Sequence, residues 1–116
     1  MIPDIAEIMA EFPALSSAGF HCQGRADYWS DPAYFEKCRA DILSAAFAEQ
    51  VDLCGDYIAC HRLDRTSSSY YLKHQVEDSH PSKYIANGAF IVAAIRAGYT
   101  PILNGSPNPT FHRGEA

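Results

Sequence analysis

The chain has 116 residues, of which 47% are hydrophobic and 20% are charged, and its formal net charge is −5. This length predicts one domain that can bury roughly two-thirds of its surface, and the composition argues against disorder except at the ends. No apolar run reaches the roughly 18 residues of a membrane span, and the acidic start does not resemble a secretory signal. We therefore expect a soluble cytosolic protein whose four cysteines are reduced thiols.

The first helix is predicted over residues 4–12, where apolar side chains recur at spacings of three and four. Asp4 can cap this helix, and Pro13 ends it because a proline disfavours helical backbone in the residue before it. Residues 14–30 have the composition of a loop, with paired serines, two glycines and an aromatic pair.

A long helical stretch is predicted next. Ser30-Asp31-Pro32 favours a helix start, since a serine or aspartate can cap and proline fits the first turn. The apolar stripe that follows runs from Phe35 to Ile58, and the helical stretch ends at about Leu63. We expect a break or kink at Gly55, because glycine costs roughly 1 kcal/mol in a helix interior.

The predicted core unit is a helix–loop–helix over residues 67–98. One serine of residues 67–69 should cap a helix over Tyr70–Ser79, and Pro81 should stop it. Within this helix Lys73 and Glu77 are spaced as an i,i+4 ion pair.

The second helix of the core unit is predicted over Gly88–Ala97, with Asn87 as its cap and Gly98 in a left-handed C-terminal turn. It is apolar on nearly every face, which is typical of a helix buried on all sides. Residues 99–112 place β-prone residues around a turn cluster, which predicts a small hairpin.

The sequence thus predicts a mostly α fold: a small helical domain of about four to five helices with a helix–loop–helix core unit at 67–98 and a short C-terminal β-hairpin. A single domain should span 1–116. Within it, we distinguish an acidic helical half (1–63), the core unit with the hairpin (64–112) and a short tail (113–116).

Catalytic and metal motifs are not evident. The cysteine and histidine spacings do not match the close pairs of a zinc site. The chain contains neither a G-x-S-x-G elbow nor a phosphate-binding loop. We therefore predict a protein that is not an enzyme, with no catalytic residues, no metal, no cofactor and no small-molecule substrate.

Charge is unevenly distributed, with a balance of −7 over residues 1–56 and +2 over residues 57–116. Acidic side chains on a rigid surface can face a basic partner, and tyrosine and tryptophan often anchor interfaces. The acidic surface would comprise Asp27, Asp31, Glu36, Asp41, Glu49, Asp52 and Asp56. The candidate protein-interface residues are Tyr28, Trp29, Asp31, Glu36, Asp41, Glu49, Asp52, Tyr70 and Tyr84. The alternative is that these acids and aromatics only decorate solvated helix faces and complete the core.

DNA binding is the alternative function, because two helices followed by a hairpin outline a winged helix-turn-helix. However, Arg96 is the only charged residue in 88–97, so this helix has little with which to read bases. The sequence pI of about 5.4 is also low for a nucleic-acid-binding domain, which usually carries a basic patch. The DNA contacts would then fall to Arg62, Arg65, Lys73, Gln75 and Lys83.

Two motifs carry a family resemblance. Residues 69–77 read S-Y-Y-L-K-H-Q-V-E, and residues 84–94 read Y-I-A-N-G-A-F-I-V-A-A, followed by Gly98-Tyr99. This pattern resembles a family of small uncharacterised proteins carried by phages, plasmids and integrative elements of proteobacteria. The match covers about thirty residues of the chain.

The mobile-element setting of that family implies an inhibitor of a host protein complex in the bacterial cytosol. The best-known proteins of this kind are anti-CRISPR proteins, which usually act by binding a Cas protein or a CRISPR surveillance complex and not by chemistry. We therefore expect a protein partner, with DNA as the alternative and no role for a membrane.

Overall fold

The computed structural model describes residues 3–20, 32–103 and 107–113. Within these ranges the chain forms five α-helices and two antiparallel strand pairs, β1–β2 and β3–β4. In chain order the elements are α1 (Ile5–Glu11), β1 (Leu15–Ser16), β2 (Gly19–Phe20), α2 (Pro32–Asp41), α3 (Ala45–Cys60), α4 (Ser69–Ser79), α5 (Asn87–Arg96), β3 (Tyr99–Ile102) and β4 (Thr110–Arg113). The predicted class, mostly α with a C-terminal hairpin, is confirmed.

Helix α5 is the centre of the core. Every residue from Asn87 to Ile95 is buried, which confirms the prediction from its all-round apolar sequence. Helix α3 covers one side of α5 with a face that repeats at spacings of four and three. That face comprises Phe47, Val51, Cys54 and Ile58. Helix α4 and strand β3 cover further sides, and none of the described helices has the length and apolar character needed to cross a bilayer.

The predicted break at Gly55 is wrong. Gly55 lies inside α3, and the interruption falls earlier, between Asp41 and Ala45. The Ser44 hydroxyl starts α3 by accepting a hydrogen bond from the Phe47 backbone N–H at 3.1 Å. Packing of the apolar face of α3 against α5 outweighs the roughly 1 kcal/mol that one glycine costs in a helix.

The ends of α4 and the C-terminal end of α5 follow the sequence prediction, whereas the start of α5 does not. Ser68 caps α4 by accepting from the Tyr71 N–H at 3.3 Å, and Gly98 has a left-handed φ of 98° after α5. The predicted cap of α5, Asn87, is instead its first helical residue, and Ala86 holds the cap position without a side-chain hydrogen bond.

Residues 15–20 form a tight strand pair where the sequence predicts loop. Leu15 pairs with Phe20 and Ser16 with Gly19, which has a left-handed φ of 113°. This pair rests on the start of α5, because the Gly88 N–H donates to the Ser17 carbonyl at 2.8 Å. A Cβ atom at position 88 would collide with the Ser16 carbonyl oxygen, so this contact requires glycine.

Arg39 of α2 fastens the N-terminal helix to the rest of the molecule. Its guanidinium donates to the carbonyl oxygens of Met9 at 2.8 Å, Pro13 at 3.0 Å and Leu15 at 2.8 Å. These carbonyls follow or end α1, where a helix leaves its last acceptors unsatisfied and favours positive charge. One side chain thereby satisfies backbone acceptors from two elements.

Candidate binding site around Lys73

Lys73 is a buried lysine on the inner face of α4, with 6% of its surface exposed. Its Nζ atom lies 3.4 Å from a Glu77 carboxylate oxygen. The same atom lies 5.4 Å from the centre of the Tyr70 ring and 4.9 Å from that of the Tyr84 ring, within cation–π range. The ion pair and the two rings hold the ammonium group of a normally flexible side chain in one place.

Glu77 links α4 to the segment that precedes α5. Its carboxylate accepts the backbone N–H of Ile85 at 2.9 Å and lies 2.8 Å from Nδ1 of His74. Burial raises the pKa of this carboxyl, but the Ile85 N–H and the charges of Lys73 and His74 outweigh burial, and the net pKa is below its ordinary value. Glu77 is therefore ionised at neutral pH and serves as the counter-ion of Lys73.

Asn87 connects three segments beside Lys73. Its side-chain Nδ2 donates to Asn108 Oδ1 at 2.8 Å, the Ala18 carbonyl at 3.2 Å and the Pro107 carbonyl at 3.3 Å. Three acceptors around one atom identify it as the nitrogen of the amide. The opposite atom, Asn87 Oδ1, is buried and has no hydrogen-bond partner among the described residues.

These side chains line a cleft of about 430 Å³, which we call the Lys73 cleft. Its described lining comes from the β1–β2 turn, α2, α4, the α4–α5 link, the start of α5 and the segment before β4. The lining residues are Ser17, Ala18, Tyr34, Tyr70, Lys73, Tyr84, Asn87 and Asn108. A second cleft of about 280 Å³ shares four of these residues and leads toward the junction of α2 and α3. The volume of the Lys73 cleft is in the range of natural ligand pockets.

The predicted protein-interface residues fall into three groups. Tyr70 and Tyr84 both border the Lys73 cleft and are exposed. The acidic candidates are exposed on α2 and α3. These are Glu36, Asp41, Glu49 and Asp52, joined by Asp56. Asp52 and Asp56 line a concavity together with Arg96 at the end of α5. Tyr28, Trp29 and Asp31, with Asp27 of the acidic surface, lie outside the described residues.

The predicted DNA-contact residues do not share one surface. Lys73 is buried, and Lys83 is paired with Glu49 of α3 at 2.7 Å. The Arg65 guanidinium donates to His112 Nδ1 of β4 at 2.6 Å. Arg62 lines a separate concavity of about 260 Å³ together with Arg113, and Gln75 is half-buried on α4.

Burial governs the reactivity of the Cys54 thiol. Cys54 is fully buried under α5, and burial together with the charge of Glu77 raises the pKa of its thiol to about 12. A thiol with this pKa is protonated at neutral pH and is a poor nucleophile. Across residues 3–20, 32–103 and 107–113, no group of three metal-ligating side chains is arranged to hold an ion.

Sequence reasoning missed the part of the cleft that long-range contacts create. Asn87 is interpretable locally only as a helix cap, and Ser17 and Asn108 carry no distinctive signal. The available signal was the pair of motifs that carries the family resemblance. Four polar or aromatic motif positions line the cleft, namely Tyr70, Lys73, Tyr84 and Asn87, and Glu77 contacts Lys73 from outside the lining.

Comparison of the chain with protein-family models, with curated proteins and with solved structures found no match.

Proposed function

We propose that this protein is a non-enzymatic inhibitor that binds a host protein complex through the Lys73 cleft. The observation that carries the proposal is the exposure of two tyrosines, Tyr70 at 52% and Tyr84 at 68%, on the border of one polar cleft. Tyrosine is among the residues that most often dominate binding energy at interfaces. The Lys73 ammonium group beneath both rings limits their movement, so less side-chain entropy is lost on binding.

The first partners to test are Cas proteins and CRISPR surveillance complexes. The resemblance of residues 69–94 to proteins of phages and plasmids supports an anti-CRISPR role. The exposed acidic residues of α2 and α3 support a partner with a basic surface, since complementary charge accelerates association.

The test is the affinity of the purified protein for purified CRISPR effector complexes, measured by biolayer interferometry. The double variant Tyr70→Ala/Tyr84→Ala should bind at least about 100-fold more weakly, as expected for the loss of two anchor residues. Tyr71→Ala is the matched control. Tyr71 is equally exposed at 55% on the same helix but does not line the Lys73 cleft.

Two results would contradict the proposal. One is failure of the wild-type protein to bind any of the effector complexes. The other is equal binding by the double variant and Tyr71→Ala, which would show that the tyrosines at the Lys73 cleft are not the contact surface.

DNA binding is the second candidate function, and it is favoured by a different observation. Arg62 and Arg113 line one concavity, and Arg65 contacts His112 on β4, the strand that also carries Arg113. If this surface binds duplex DNA, Arg62→Gln/Arg113→Gln should weaken binding in fluorescence anisotropy and reduce its salt dependence. Lys83→Gln, which removes a lysine already paired with Glu49, is the control. No anisotropy change at low salt with the wild-type protein would exclude this function.

A further inference from the structure

We propose that the Lys73 cleft recognises an acidic peptide segment, with a carboxylate of the segment on Lys73 Nζ and a backbone N–H on Asn87 Oδ1. This inference rests on the proposed function, since it specifies the chemistry of the partner at the same site.

The charge that faces the cleft is positive. Lys73 lines the cleft, whereas its counter-ion Glu77 does not. The two groups meet through one contact of 3.4 Å, which is long for a charge-assisted hydrogen bond. An ammonium group has three N–H donors, and this is its only hydrogen bond within the described residues. A ligand carboxylate can therefore be accommodated without displacing Glu77.

Asn87 distinguishes a peptide from a simple anion. Its Oδ1 atom is buried without a partner in the described structure, and such an atom costs about 1–3 kcal/mol. The three acceptors around Nδ2 hold the amide in this orientation, so it cannot rotate to present a donor instead. A carboxylate or a phosphate has no N–H to offer to this oxygen, but a peptide carrying an acidic side chain has both groups.

The shape of the site also fits a linear segment. The Lys73 cleft shares Ser17, Ala18, Tyr34 and Tyr84 with the second cleft, so a peptide bound at Lys73 has an adjoining concavity into which it can extend. The faces of Tyr70 and Tyr84 can cover the aliphatic part of a glutamate or aspartate while Lys73 pairs with its carboxylate.

The test uses two blocked peptides as probes, Ac-Ala-Glu-Glu-Ala-NH2 and its neutral analogue Ac-Ala-Gln-Gln-Ala-NH2. Each is titrated into the full-length isotope-labelled protein and followed by two-dimensional NMR. The acidic peptide should cause saturable shifts at Tyr70, Lys73 and the side-chain amide of Asn87, with an affinity at least about tenfold higher than that of the neutral peptide.

Lys73→Met retains the length of the side chain and removes its charge, so it should reduce affinity for the acidic peptide to that of the neutral one. Lys83→Met is the matched control, because it removes the same charge from a lysine outside the cleft. If Lys73→Met does not fold, the comparison of the two peptides on the wild-type protein still decides the question.

Several outcomes would overturn the inference. These are equal affinity for both peptides, no shift at the three residues up to about 10 mM peptide, or unchanged binding by folded Lys73→Met. Sodium acetate is a further probe. If acetate binds as tightly as the acidic peptide, the Lys73 cleft is a simple anion site and the inference is wrong.

Failure of this inference is distinguishable from failure of the proposed function. Effector binding that depends on Tyr70 and Tyr84 but not on Lys73 would leave the function intact and refute the acidic segment. Peptide binding that depends on Lys73, in a protein that binds no effector complex, would establish the site and refute the function.

Discussion

Arg39 shows how one side chain holds two segments together. Its guanidinium donates to carbonyl oxygens on both sides of Pro13, at the end of α1 and the start of β1. A guanidinium presents five donors in a planar fork, whereas an ammonium group is a point charge with three. The geometry therefore requires arginine and not only a positive charge.

Arg39→Lys should accordingly destabilise the protein by about 1–3 kcal/mol, because part-buried carbonyl groups lose their donors. The free energy of unfolding from urea denaturation, followed by circular dichroism, measures this effect. Lys37→Met, an exposed change on the same helix, should have little effect. Equal stability of Arg39→Lys and the wild type would show that the Arg39 contacts are not stabilising.

Glu77 predicts a specific pH dependence of stability. Its pKa in the folded protein is below the ordinary 4.5, so the folded state favours the ionised carboxylate. The stability that this preference contributes is fully present above about pH 4.5 and is lost as the pH falls through the lower, folded-state pKa. Glu77→Gln cannot titrate and should lose less stability in this acidic window than the wild type.

The measurement is the urea midpoint as a function of pH between neutrality and about pH 3. Asp78→Asn is the control, because Asp78 is the exposed neighbour of Glu77 on α4. If Glu77→Gln and the wild type show the same acid dependence, the carboxylate does not couple to folding.

Single residues also show where sequence reasoning reaches its limit. The Lys73–Glu77 spacing predicts their ion pair, and the pair is present at 3.4 Å. Its burial is not predictable locally, because it depends on Tyr84, which is eleven residues away on another segment. Asn87 is a similar case, since its partner Ala18 is 69 residues distant in sequence. A local reading detects caps and pairs but not the elements that later cover them.

At the scale of elements, helix propensity is a weaker guide than packing. The apolar stripe of residues 35–58 is continuous in sequence, yet it is divided between α2 and α3 at Ser44. Gly55 does not interrupt α3, because Cys54 and Ile58 continue the apolar face of α3 that packs on α5. The burial of α5 and the hairpin were predictable, since their signals are an all-round apolar sequence and a turn cluster between β-prone residues.

Two glycines in helices should respond oppositely to alanine. Gly55→Ala should stabilise the protein by about 0.5–1 kcal/mol, because an added Cβ at Gly55 meets no atom within 4 Å. Gly88→Ala should destabilise it by roughly 3 kcal/mol, because its Cβ would collide with the Ser16 carbonyl and separate β1–β2 from α5. Thermal unfolding of the two variants measures both effects. A stabilising Gly88→Ala would disprove the close contact.

At the scale of the whole molecule, the charge asymmetry of the sequence becomes a spatial one. Exposed acids occupy α2 and α3, and the arginines at positions 62, 65 and 113 gather near the open end of the hairpin. The lining of the Lys73 cleft includes Tyr34 of α2 but none of these acids or arginines. The two proposed binding modes therefore use different surfaces, and variants in one should leave the other intact.

The rate at which the buried Cys54 thiol is modified measures how often α3 separates from α5. Cys60, on the last turn of the same helix, is exposed. Iodoacetamide should therefore modify Cys60 in the native protein, and reach Cys54 only when α3 separates from α5. Peptide-resolved mass spectrometry should show Cys54 reacting at no more than about a thousandth of the rate of Cys60, because the opening that exposes Cys54 is rare. Similar rates at both positions would mean that the core opens frequently. In an oxidising cell, the same difference would direct damage to the end of α3 and spare its middle.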